Sequence, residues 1–131
     1  MATFDPIQYK HTTQKQWQEA AAAWNQWGPT LEQWLGSATE QMLDLAELRP
    51  GKRVLDLAAG TGGQTLVAAR RVGATGAVLA TDISSNILAF AAENAGRSGL
   101  GREAGRARQV DGREQVCDAA RFEHGREQAG R

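Results

Sequence analysis

The chain has 131 residues, 41% of them hydrophobic and 23% charged, a length that suggests one domain and excludes a multidomain machine. No apolar run approaches the roughly 18 residues that a membrane span needs, and fifteen basic against fifteen acidic side chains leave no net charge to argue for nucleic acid or an anionic membrane as partner. Cys117 is alone, which excludes an internal disulfide, and Met1-Ala2-Thr3-Phe4-Asp5 has neither a basic nor an apolar leader segment, so the cytoplasm is the expected compartment.

These averages hide an uneven distribution. Six of the eight aromatic residues, including all four tryptophans, fall within residues 1–34. Residues 101–131 hold only Val110, Val116 and Phe122 as sizeable apolar side chains besides Cys117, so this last stretch reads as a polar tail that buries little.

In chain order, Thr13-x-x-Gln16, Thr30-x-x-Gln33 and Ser37-x-x-Glu40 each fit a capping box and predict three short helices. Trp17, Ala20, Ala21 and Trp24 give the first an apolar face, and Gly28-Pro29 is expected to end it. The spacing of Trp17 and Trp24 predicts core burial, whereas Tyr9-Lys10 and Trp27-Gly28-Pro29 lie off the stripe and are the better candidates for ligand contact. Ala38, Met42, Leu45 and Ala46 line the third helix, and Arg49-Pro50-Gly51-Lys52 has the chemistry of a type I or II turn.

The hydrophobic period then changes. Arg53 to Leu57 predicts a strand buried on both faces, Gly60-Thr61-Gly62-Gly63 a turn, and Leu66 to Val72 a helix. Gly73 to Gly76 breaks that helix, Ala77 to Thr81 predicts a second strand, and Ser84 or Ser85 caps a helix carrying Ile87, Leu88, Ala91 and Ala95. A further strand is expected around residues 106–110. Strand, helix, strand, helix implies an α/β fold of Rossmann-like, doubly wound parallel type, preceded by amino-terminal helices.

The chemistry concentrates in two places. The small-residue loop Ala58-Ala59-Gly60-Thr61-Gly62-Gly63 between strand and helix allows a ligand to meet backbone N–H groups directly, and a nucleotide-like ligand is expected there; the competing reading is a tight turn with glycines for geometry alone. Asp82 ends the second strand 22 residues after Gly60, where a doubly wound sheet places a carboxylate for ribose hydroxyls; its competing role is to cap the helix near Ser84. A dinucleotide fingerprint would need a third glycine where Thr65 stands, so an NAD(P)-binding oxidoreductase is the alternative rather than the first reading. His11 and His124 have no metal-ligand spacing with Cys117, so no metal is expected.

Leu55-Asp56-Leu57-Ala58-Ala59-Gly60-Thr61-Gly62 resembles the first motif of class I S-adenosylmethionine-dependent methyltransferases, with Ala58 at the first glycine place as in the ubiquinone and menaquinone biosynthesis type. Val78 to Ser84 resembles the second motif, and Val110-Asp111-Gly112 with Asp118 and Phe122-Glu123 resembles the stretch that follows. The resemblance implies S-adenosylmethionine as cofactor, with Asp56 orienting the loop and Ala58, Gly60 and Gly62 giving backbone approach to its amino-acid end. It further implies that Asp82 holds the ribose, Ile83 lies against the adenine and Asp111 accepts from the adenine amino group. In-line methyl transfer needs alignment and shielding more than a dedicated base, so no catalytic residue is assigned.

The expected layout is an amino-terminal helical segment over residues 1–50, the S-adenosylmethionine-binding half of a methyltransferase domain over 51–112, and a poorly ordered Arg/Gly-rich tail over 113–131. Such a domain is expected to carry seven strands, so the catalytic domain reads as incomplete, truncated after the third. The expected activity is methyl transfer to a small-molecule acceptor, without nucleic acid or membrane as partner and with self-association through the unpaired sheet edge. The rival is a non-catalytic remnant or interaction module.

Overall fold

The computed structural model describes residues 3–103 and 118–124. One long helix, α1 (Pro6–Leu45), comes first, followed by β1 (Arg53–Leu57), α2 (Gly63–Val72), a short 3-10 turn (Gly73–Thr75), β2 (Ala77–Asp82), α3 (Ser85–Arg97), β3 (Leu100–Glu103) and β4 (Asp118–His124).

The three expected amino-terminal helices are one, about 60 Å long at 1.5 Å per residue. It starts earlier than the capping boxes indicate: the Asp5 carboxylate accepts from the N–H groups of Ile7 (2.9 Å) and Gln8 (3.1 Å), with Pro6 in the first turn. Pro29 lies inside the helix rather than beyond its end. It withholds the N–H that would bond the Asn25 carbonyl, but packing on both sides carries the helix past it: Ala21, Thr39 and Leu43 are buried against the rest of the protein. At the far end Arg71 of α2 bonds Asp44 (2.6 Å), the Glu40 carbonyl (3.2 Å) and the Glu40 carboxylate. Its hydrogen bonds to Glu40 and Asp44 raise the guanidinium pKa further, so the clamp is charged throughout the working pH range.

The order and type of the elements agree with expectation between residues 49 and 97. Lys52 N–H donates to the Arg49 carbonyl (3.2 Å) and Gly51 has φ +84°, which settles the turn as type II. β1 and β2 pair in parallel, Arg53 opposite Ala77 through Leu57 opposite Thr81, joined by α2. Ser84 caps α3, its hydroxyl accepting from Ile87 N–H at 3.1 Å.

The four-stranded sheet has the order β1-β2-β4-β3. The α/β Rossmann-like class holds for β1-α2-β2-α3, but the sheet as a whole is mixed, because β4 pairs antiparallel with both β2 and β3. In the doubly wound order a third parallel strand lies beside β2; here β4 takes that place. The strand expected around residues 106–110 lies outside the described residues. Within the stretch read as a tail, β4 delivers Ala120 and Phe122 to the core, beside Val78, Ala80, Leu88, Ala91, Ala95 and Leu100.

Among the described residues, only one face of the sheet is packed. Val78 and Ala80 point toward α2 and α3, whereas alternation sends Leu55, Leu57 and Leu79 to the other face, where they stay exposed. β1, expected to be buried on both faces, is an edge strand of the described sheet with one open face. The double layering of the fold class is thus half present among the described residues.

Candidate functional site

The turns after β1 and β2 meet at the carboxyl end of the parallel pair. Ala58 has φ +59°, Gly60 φ +59° and Gly62 φ +90°, a left-handed run that turns the chain from β1 into α2. An alanine in this region carries about 1 kcal/mol of strain, so Ala58 occupies a place whose backbone suits glycine. A Cβ on Gly62 would come within 3.1 Å of the Ala91 Cβ, which lets α3 pack directly against the loop. One on Gly60 would meet nothing within 4 Å, so that glycine faces open space. α2 begins without a side-chain cap, and its first N–H groups present the positive end of the helix dipole there.

Asp82 joins the two turns. It is 7% exposed; one carboxylate oxygen accepts from Gly60 N–H (3.0 Å) and the other from Ser84 N–H (2.9 Å). Asp82 thus reaches the glycine loop and orders Ser84; the cap of α3, the competing role read for Asp82, belongs to Ser84 itself. A carboxylate has about four lone-pair directions, so two remain for a diol. Ile83 follows, half-buried, its carbonyl accepting from Gln14 of α1 (3.2 Å).

Asp56 faces inward. Its carboxylate accepts from the Thr65 hydroxyl at 2.6 Å, and its carbonyl accepts from the Thr81 hydroxyl at 3.2 Å. Thr65, in the first turn of α2, is fully buried and faces β1, at the place where a dinucleotide fold needs a bare glycine for close helix–strand packing. The side chain fills that space and is held by Asp56. The missing third glycine is thus a packing feature that speaks against a dinucleotide site. Asp111 lies outside the described residues.

α1 crosses the glycine loop at Gly28, where a Cβ would lie 3.9 Å from the Thr61 hydroxyl. Between α1, the loop, α2 and the end of α3 lies a groove of about 730 Å³, with Trp24, Gly28, Pro29, Ala59, Gly60 and Thr61 at its loop end. The expected ligand-contact segment Trp27-Gly28-Pro29 contributes Gly28 and Pro29 to it. Trp17 and Trp24 are not core: they are 37% and 41% exposed and pack on each other in a tilted arrangement with ring centroids 5.6 Å apart. Their helical spacing makes them neighbours, and nothing among the described residues covers them completely. The polar contacts of Gln14, Gln18, Asn25 and Asn94 were not legible in the sequence, because each joins residues more than thirty positions apart.

Residues 48–111 match the family profile of a methyltransferase domain, a match over just under half of the chain. It bears out the resemblance to class I S-adenosylmethionine-dependent methyltransferases. Similar curated proteins include the 23S rRNA (uracil(1939)-C(5))-methyltransferase RlmD of Psychrobacter arcticus, 44% identical over 62 residues, which are 47% of this chain and 12% of that protein. The ubiquinone/menaquinone biosynthesis C-methyltransferase UbiE of Methylococcus capsulatus is 50% identical over 46 residues, 35% of this chain and 18% of the relative. The ribosomal RNA large subunit methyltransferase E of Sorangium cellulosum is 54% identical over 43 residues, 33% of this chain and 20% of the relative. The matched segments therefore span no more than about a fifth of these relatives. No solved structure matches the chain.

These relatives correct one expectation. Two are named for ribosomal RNA, which overturns the exclusion of nucleic acid as a partner, leaves the small-molecule acceptor unshown, and makes the likeness to the ubiquinone and menaquinone type partial. Net charge does not decide the acceptor, because it sums over the whole chain, whereas an acceptor is met by local surface. No helix among the described residues is long and apolar enough to cross a membrane.

Proposed function

We propose that the two turns form the S-adenosylmethionine site of a methyltransferase. In this reading Asp82 takes the ribose hydroxyls on its free lone pairs and Ile83 lies against the adenine. Gly60, Gly62 and the uncapped start of α2 meet the carboxylate of the methionine moiety. Asp56 acts through Thr65, fixing the angle at which α2 leaves β1, and Ala58 completes the left-handed turn. Asp111 is assigned to the adenine amino group by resemblance alone.

The observation that carries the reading is the Asp82 carboxylate, buried and bonded to Gly60 N–H and Ser84 N–H, because one charged group then ties together the two turns that would hold a nucleoside. The open space over Gly60 supports it, since a ligand can approach the backbone there without displacing a side chain. The bound cofactor would supply an electrophilic methyl on a sulfonium. The chain's own share is to hold the nucleoside, orient the methionine end and cover it with α1. The transfer step belongs to the whole protein, and its acceptor class is left to experiment.

Differential scanning fluorimetry with S-adenosylhomocysteine and with NAD⁺ tests the assignment. A ligand at one hundred times its Kd stabilises by about 2.7 kcal/mol, which is readily seen as a rise in Tm. A rise with S-adenosylhomocysteine alone is expected. A rise with NAD⁺ alone would move the chain to the oxidoreductase class, and no rise with either would favour the non-catalytic reading.

A further inference from the structure

α1 is bound to the cofactor turns by side chains that no motif includes. Gln18 Oε1 accepts from the Ser84 hydroxyl and from Asn86 N–H, both at 2.8 Å, while its Nε2 donates to the Ser85 hydroxyl at 2.8 Å. Asn86 Nδ2 returns a bond to the Gln18 carbonyl at 3.3 Å, and Gln14 Nε2 donates to the Ile83 carbonyl at 3.2 Å. Farther along the helix, Asn25 Oδ1 accepts from Asn94 Nδ2 at 3.0 Å, and the same Nδ2 donates to the Thr61 carbonyl at 2.9 Å. Residues 14, 18 and 25 recur at spacings of four and seven, so they share one face of α1.

Ser84 shows why this matters to the site. It is fully buried; its hydroxyl oxygen accepts from Ile87 N–H, and its single proton goes to Gln18. Its own N–H donates to Asp82, which in turn holds Gly60. Removing Gln18 would take the acceptor from a buried hydroxyl proton, at a cost that a shift of Ser84, and of the Asp82 it bonds, would relieve.

We propose that Gln18 and Asn94 are positioning residues of the cofactor site, each setting one end of it: Gln18 fixes the Asp82–Asn86 turn that meets the nucleoside, and Asn94 fixes Thr61 in the turn that meets the methionine moiety. The inference rests on the cofactor assignment above. It makes α1 a structural part of the site, and it separates the two ends of the ligand by residue.

Isothermal titration calorimetry with adenosine and with S-adenosylhomocysteine, alongside Tm, distinguishes the cases. Gln18→Leu is expected to weaken both ligands equally, by roughly tenfold, the scale of one or two lost hydrogen bonds. Gln18→Glu keeps acceptors for Ser84 and Asn86 and gains one for the Ser85 hydroxyl, so it should restore affinity. Asn94→Ala is expected to weaken S-adenosylhomocysteine while sparing adenosine. If the unaltered protein binds and Gln18→Leu binds both ligands as tightly, or only Tm falls, the positioning role is wrong while the cofactor assignment stands. If the unaltered protein binds neither ligand, the cofactor assignment itself has failed.

Discussion

Leu57 and Phe122 are both large apolar side chains of one sheet, yet Leu57 is 71% exposed and Phe122 is fully buried. The difference is which face they occupy. Phe122 points to the side covered by helices, where Val78, Ala91 and Leu100 close around it; Leu57 shares the other side with Leu55 and Leu79, left open by the described residues. Apolar content along a strand says that burial is wanted. It does not say whether a covering layer is present.

Substitutions on the two faces should break that symmetry unequally. Phe122→Ala has the largest expected effect, about 3–5 kcal/mol in urea denaturation, because it empties a closed core site. A cost near zero would mean that β4 does not dock as described. Gly62→Ala comes next at about 1–3 kcal/mol, combining a left-handed backbone with a methyl pressed on Ala91. Ala58→Gly should instead raise stability, by a few tenths to about 1 kcal/mol, by relieving the left-handed alanine. Unchanged stability would show that the turn relaxes without it. Leu57→Gln, on the open face, should fall within about 0.5 kcal/mol. A cost of several kcal/mol there would reveal a covering layer over that face.

The same contrast explains what could be read in advance. The β1-α2-β2-α3 unit was legible because local rules decide it: Pro50-Gly51 makes the turn, the glycine loop has one geometric use, and Ser84 caps the next helix. α1 was not, since three capping boxes and Pro29 argued for breaks that packing of Ala21, Thr39 and Leu43 overrides. Its true start at Asp5-Pro6 was available, as an N-cap acid before a first-turn proline. The resemblance marked Phe122-Glu123, but the burial of β4 was hidden in a charged stretch because only Ala120 and Phe122 anchor it. Of the site, Asp56, Ala58, Gly60, Gly62, Asp82 and Ile83 converge where β1 and β2 end, while Gln18 and Asn94 depend on contacts across the fold that no spacing announces.

If Asp82 and the glycine loop hold S-adenosylmethionine as proposed, removing the Asp82 carboxylate abolishes binding. Equilibrium dialysis with methyl-labelled S-adenosylmethionine, comparing the unaltered chain with Asp82→Ala, tests it most directly. Saturable binding at one site per chain, lost in the variant, is expected. Absence of saturable binding to the folded chain, or equal binding by the variant, would contradict it.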